Sequence, residues 1–269
     1  MIAATRGSAV TPYLYDGPSG LRGGDLGWFQ RGQLLPAFEE AAFSMGRGAV
    51  SPVIETPLGL HVLVAGRTQS KLDAVVDSIV SAGGSARAVV ADSTSEADTE
   101  RLFAMAGQDL TLAIYNTGNN TPGRIAEMSA EYFENSWRVC CFGGFLFGRA
   151  AINTFAGNGG TLIFTGASAS LRGRANFGAF NSAKGALRNL AQAMAKECGR
   201  DGVHVGHVVV DGPIGGEKIK KGIPEYAAKL GDEGMISIDG IVDGYVYLYQ
   251  QPRQAWSFEL DVRTSVEKW

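Results

Sequence analysis

Lys184 and Phe180 stand four residues apart in Phe180-Asn-Ser-Ala-Lys184, within a segment whose apolar positions 183, 187, 190, 191 and 194 predict a helix. That spacing puts the two side chains on one face, one turn apart. The lysine can hold a proton and be tuned by its surroundings, whereas phenylalanine can neither donate nor accept one. The cysteines offer less. Cys140 and Cys141 are adjacent and Cys198 is distant, which fits neither a disulfide framework nor metal-ligand spacing. Buried free thiols and no metal are expected. Gly46-Arg-Gly48 is the nearest approach to a phosphate-cradling turn, but it follows a helical segment instead of joining a strand to a helix. It reads as a helix end and turn.

The elements that position these residues show in an alternation that begins at His61. Short apolar runs at 61–65, 87–91, 111–115, 161–165, 203–210 and 256–262 predict six strands. Between them lie helical patterns at 95–106, 130–155, 180–200 and 238–250. Another helix, capped by Thr68, carries an apolar face of Leu72, Val75, Val76, Ile79 and Val80. Strands alternating with helices of ten or more residues predict an α/β fold with a parallel, doubly wound sheet. Residues 1–60 break the rhythm with the turn clusters Asp16-Gly-Pro-Ser-Gly20 and Arg22-Gly-Gly24, short strands at 26–29 and 50–55, and a helical segment at 35–45. Two parts are therefore expected, 1–60 and 61–269.

Composition bounds the function. The chain has 269 residues, 24 Lys and Arg against 27 Asp and Glu, and a formal charge of −3, which argues against a nucleic-acid partner. No apolar run approaches 18 residues and the opening residues lack a leader profile, so a cytoplasmic protein without a membrane partner is expected. Glycine accounts for 37 residues, about twice its usual share of about 7%, which implies many tight turns.

Residues 61–269 resemble the short-chain dehydrogenase/reductase family. Val62-Leu-Val-Ala-Gly-Arg67 is similar to its second strand, Ala91-Asp92-Ser93 to its adenine-contacting segment, and Asn116-Thr117-Gly118 to its Asn-Ala-Gly turn. Asp211-Gly212-Pro213-Ile214 stands where the family's Pro-Gly turn meets the nicotinamide. The resemblance implies a Rossmann-like fold, a small carbonyl or alcohol substrate and a homodimer or homotetramer. The helix from Phe180, with Leu187, Leu190, Ala191 and Met194 in one stripe, is expected to pack against a second copy. It also implies cofactor contacts from Arg67, Asp92, Ser93, Asn116, Gly118, Lys184 and Ile214. Arg67 would hold a 2′-phosphate, so NADP is expected, bound weakly or not at all. The family's proton chemistry uses Tyr, Lys, Ser and Asn. Here Lys184 is present, Phe180 fills the tyrosine slot, Ala167 the serine slot with Ser168 beside it, and Cys140 the asparagine slot. Weak or absent turnover is expected, because lost acid–base assistance costs about 10²–10⁴-fold. Nothing upstream matches the family's first strand and glycine-rich turn.

Residues 12–61 resemble a parvulin-type prolyl isomerase. Asp16-Gly-Pro-Ser-Gly-Leu-Arg-Gly-Gly-Asp-Leu-Gly-Trp-Phe29 and Arg31-Gly-Gln-Leu-Leu-Pro-Ala-Phe-Glu-Glu-Ala-Ala-Phe43 carry the likeness. By position, Leu34, Phe38 and Phe43 would form the proline pocket, Asp16 the polar group near the amide, and His61 the histidine of the closing strand. Residues 1–15 show no pattern of the parvulin first half. A half-domain buries too little surface to fold alone. It is therefore expected to pack at the edge of the downstream sheet, with 26–29 and the helix around Phe38 standing in for the missing strand and helix. The alternatives to an oxidoreductase are thus a prolyl isomerase or a non-catalytic fusion or scaffold.

Overall fold

The computed structural model describes residues 2–5 and 61–267. Asp16, Leu34, Phe38 and Phe43, and the proposed stand-in elements at 26–29 and around Phe38, lie outside the described residues.

All six strands expected after residue 60 are present: β2 (His61–Gly66), β3 (Ser85–Val90), β4 (Leu110–Tyr115), β5 (Gly160–Thr165), β6 (Val203–Val210) and β7 (Glu259–Val262). A seventh, β1 (Ile2–Thr5), completes the sheet in the order β3-β2-β1-β4-β5-β6-β7. Every pair among β2 to β7 is parallel. Buried on both faces, β6 reads Val-His-Val-Gly-His-Val-Val-Val, a nearly unbroken apolar run.

The central slot departs from expectation. Residues 2–5 occupy it, although the opening of the chain shows no strand pattern, and they run antiparallel to both neighbours. Ala3 pairs with Leu63 on one side and Ala113 on the other. The physical reason is the vacancy itself: β2 and β4 would otherwise each present a row of unpaired backbone groups in the middle of the sheet.

The helices are α1 (Gln69–Ser81), α2 (Glu96–Ala106), α3 (Ala130–Trp137), α4 (Gly143–Phe155), α5 (Gly178–Cys198), the short α6 (Glu217–Lys220) and α7 (Pro224–Leu230), and α8 (Ile238–Gln250). Ser95 caps α2 by accepting from the Asp98 amide at 3.2 Å, with Glu96 and Asp98 favourably placed in the first turn. Thr68 sits at the N-cap of α1 but makes no such bond, and of the expected apolar face only Leu72 is buried. One face of the sheet packs Leu102, Phe103, Phe147, Phe155, Leu187 and Met194 beneath α2, α4 and α5. The other carries Ile163, Val208, Ile241 and Leu248 beneath α8.

The predicted helix at 130–155 is interrupted. Between α3 and α4, residues Arg138–Phe142 form a π-helical turn. Tyr115, fully buried at the end of β4, donates its hydroxyl to the Val139 carbonyl at 2.5 Å. Gly143 makes room for it: a Cβ there would overlap the Tyr115 hydroxyl and stand 2.7 Å from the Ser93 carbonyl oxygen.

The stripe on α5 is not a free surface. Leu187, Ala191 and Met194 are buried and Leu190 packs against them, so these residues serve the chain's own core. A helix lying on a sheet buries its apolar stripe there first. Of the four, only Leu190 keeps part of its surface exposed.

Candidate functional site

Helix α5 packs chiefly on β6, and its Lys184 side chain reaches the carboxyl ends of β4 and β5. Its Nζ donates to the Thr165 carbonyl, the last residue of β5, at 2.7 Å, and to the Thr117 carbonyl, just beyond β4, at 3.2 Å. The residue is only 4% exposed. Burial, the chief cause, pushes its ammonium below the ordinary lysine range, opposed by the neighbouring Cys140. Phe180, one turn earlier, is half-buried, with its ring centroid 6.0 Å from Nζ.

Cys140 is wholly buried on the π-helical turn. A Cβ added to Gly118 would stand 3.4 Å from the Cys140 Sγ, 3.4 Å from the Lys184 Nζ and 3.3 Å from its Cε. Gly118, Cys140 and Lys184 therefore converge on one spot, with Phe180 alongside. Gly118 itself is exposed, while the amine beneath it is buried and already in close contact with where a side chain there would begin. Ala167 follows β5 and leads into a 3₁₀ turn, Ser168–Ser170, where its amide donates to the Ser170 Oγ at 3.2 Å. Ser168 is half-buried in that turn.

The other expected residues lie on the same carboxyl edge, farther from the amine. Arg67 is exposed after β2. Asp92, after β3, is committed to its own loop, accepting from the Thr94 amide and hydroxyl at 2.8 Å each, and Ser93 is buried. Asn116 is exposed beyond β4. Ile214, after β6, is 40% exposed and bridges to Ile236. At the opposite edge of β2, His61 is exposed with its Nδ1 2.9 Å from the Ser85 Oγ of β3.

Two buried polar groups beside the site were not singled out from the sequence as charged partners. Asp211, 1% exposed, accepts two bonds of 2.9 Å from the Arg172 guanidinium, and Arg263 approaches at 3.4 Å. This fork ties the turn after β6 to the loop after β5. His207 is fully buried on β6, its Nδ1 3.0 Å from a Glu259 carboxylate oxygen; Glu259 also receives Arg188 at 2.5 and 2.8 Å. A carboxylate only accepts, so the neutral ring carries its proton on Nδ1. Burial pushes the His207 pKa down to about 4 against the pull of Glu259. The available signal was a histidine inside an apolar strand and an aspartate at its end. Their partners lie dozens of residues away and leave no local pattern.

No group of His, Cys, Asp and Glu suited to a metal occurs among the described residues. Among the same residues, no helix is long and apolar enough to cross a membrane.

Known families match this sequence in two blocks. The short chain dehydrogenase family matches residues 45–216, and the PPIC-type PPIASE domain matches residues 7–66. The crystal structure of a short-chain dehydrogenase from Rhodopseudomonas palustris superposes with a TM-score of 0.62 at 32% identity, covering 75% of this chain and 85% of that one. A 7 alpha-hydroxysteroid dehydrogenase complexed with NADH and 7-oxo glycochenodeoxycholic acid shares the fold at a TM-score of 0.68 and 22% identity, covering 76% of this chain and 83% of that one. The uncharacterized oxidoreductase YxbG of Bacillus subtilis is 27% identical over 171 residues, 61% of each chain. The peptidyl-prolyl cis-trans isomerase ESS1 of Saccharomyces cerevisiae is 55% identical over 42 residues, 16% of this chain and 25% of the yeast protein. The chain thus spans only part of the curated relatives it matches.

Proposed function

The chain belongs to the short-chain dehydrogenase family, and from that premise we propose that it is an oxidoreductase-type protein of low turnover, taking a small carbonyl or alcohol beside a nicotinamide cofactor. The observation that carries this reading is the buried Lys184 at the β4–β5 junction, beside Gly118 and Cys140. The residues present fit two ends of such a cofactor. Arg67, exposed after β2, would face an adenosine 2′-phosphate and favour NADP; Lys184 and Ile214 would flank the nicotinamide end. When bound, the cofactor would supply or accept the hydride.

The pyrophosphate end fits less well. In the family a parallel first strand delivers a glycine-rich turn to the start of a helix, where backbone amides hold phosphate. Here β1 runs the other way and presents its amino end at that edge. No described residue supplies the turn. Phe180, Ala167 and Cys140 occupy three of the four proton-handling slots without the usual groups, so binding and turnover are both weak on this reading. Titrating NADPH and NADH by fluorescence, with Arg67→Ala beside the unaltered protein, tests it. Weak binding that prefers NADPH and loses the preference in the variant is expected. Tight NADH binding indifferent to Arg67 would overturn the reading.

A second reading, prolyl isomerisation, is favoured by one observation, the 55% identity over 42 residues to the yeast isomerase. Against it, the His61 ring lies beside Ser85 within the dehydrogenase-like sheet. Cis-trans kinetics on a proline peptide decide it, and a rate equal to the uncatalysed one removes it.

A further inference from the structure

We propose that residues 6–60, the isomerase-like segment, dock in an apolar groove on one face of the sheet, between α1 and α8, with the helical pattern at 35–45 seated in it. The central slot of the sheet is taken by β1, so the apolar side chains of the segment need another surface. On the face away from α2, α4 and α5, α1 packs on β2 and β3, and α8 on β5, β6 and β7. β1 and β4 lie between them. Strands stand about 4.8 Å apart, which sets these two helices roughly 20 Å apart, whereas helices in contact need only about 10 Å. The interval admits one more helix.

Its lining is apolar. β2 turns Leu63 and Ala65 toward the face beneath α2, so Val62 belongs to the groove. Val62, Ala4 and Leu112 form one row across β2, β1 and β4, and both Val62 and Leu112 are only half-buried. One wall is α1, which turns the buried Leu72 to the sheet. The parallel crossover from β2 through α1 to β3 is right-handed, which sets the exposed Val75 and the half-buried Ile79 on the β1 side and the exposed Val80 on the other. The opposite wall is fixed by a contact. The Tyr249 hydroxyl lies 3.2 Å from the Thr111 Oγ1 of β4, so that side of α8 faces the groove. Two turns earlier on the same side, Val242 is exposed.

The chain supplies the occupant. Residues 6–60 leave the sheet at Thr5 and return at His61, its register partner, at one end of the groove. Leu34, Phe38, Ala41 and Met45 recur at the spacing of one helical stripe, with Glu39 and Glu40 off it. A helix over 35–45 is about 16 Å long, and even the shorter link, 46–60, reaches about 50 Å when extended. Tethering at both ends gives the segment an effective concentration in about the millimolar range, which favours it over a second copy. Docking would also cover Leu34 and Phe38, the side chains that the parvulin likeness assigns to a proline pocket.

The test uses the full chain. A benzoylphenylalanine placed at Val75 and irradiated at micromolar concentration should attach to the tryptic peptide Gly32–Arg47 of the same chain. The same probe at Val80 should do so at least about tenfold less. Attachment from Val75 only to a second chain, to nothing in 6–60, or equally from both positions overturns the proposal. A second measurement puts no probe in the groove. Val242 is exposed, so Val242→Asp should leave the circular dichroism unchanged while it charges one wall. Trypsin should then cut at Arg31 and Arg47 at least about tenfold faster than in the unaltered protein, because the opened segment is the cleavable one. Equal rates also overturn it.

Discussion

At the scale of single residues, the proposed reading turns on three slots that lack the usual groups. Phe180→Tyr would place a phenol beside Lys184, and Ala167→Ser a hydroxyl in the loop after β5. The double variant should raise NADPH-dependent reduction of diketones and aromatic ketones at least about tenfold over the unaltered protein. A variant that binds NADPH yet transfers no additional hydride would show that this pocket is not a reductase site. His207 makes a separate prediction about pH. Its folded pKa of about 4 lies below the ordinary value of 6.5, so between these limits the unfolded chain takes up a proton that the folded chain refuses. Stability is therefore intact above about pH 6.5 and falls as pH drops toward 4, by up to about 3 kcal/mol. Glu259, held below the usual carboxylate range chiefly by Arg188, acts in the same direction at still lower pH. Urea midpoints at pH 7 and pH 5 should separate for the unaltered protein and draw together in His207→Gln; equal separation in both would remove the assignment. The sequence made the pairing of Phe180 and Lys184 on one helix legible because helical spacing is local. It left His207 and the Asp211–Arg172 fork obscure, because the partners of a buried charge are chosen by tertiary packing.

At the scale of elements, the inner strands β4, β5 and β6 were legible because parallel strands buried on both faces are nearly continuously apolar, and the edge strands β3 and β7 by their place in the alternation with helices. β1 was not. Ile-Ala-Ala-Thr is short and half alanine, and its place is decided by the unpaired backbone of β2 and β4 instead of by its own side chains. The break between α3 and α4 was equally hidden, since it depends on the fit of Tyr115 against Gly143. That fit is testable. Gly143→Ala should destabilise the protein by about 1–3 kcal/mol in urea unfolding, as overpacking does. Tyr115→Phe in the same chain should recover part of the loss by removing the overlapping hydroxyl, leaving the close approach to Ser93. Additive losses in the pair would show that the two residues do not press on each other.

At the scale of the whole molecule, a homo-oligomer remains the proposed state, although the α5 stripe is committed to the core. Phe133, Trp137 and Phe145, on α3 and α4, are among the exposed apolar side chains of the described residues and could serve such a contact. Light scattering at micromolar concentration should return a mass above that of one chain; a monomeric mass ends the idea. The reversed central strand has a different consequence. Thr5 and His61 are register partners, so the segment between them leaves and re-enters the sheet at adjacent points, on the edge away from Lys184. It is tethered as a closed loop, and closure entropy changes only slowly with loop length. Antiparallel neighbours can be joined by a turn of two to five residues. The isomerase-like segment could therefore be exchanged for a hairpin turn, or for another domain whose ends lie close together, while the seven-stranded sheet keeps its register. In engineering terms, the molecule is a dehydrogenase-like chassis with a cassette port on the far side from its pocket.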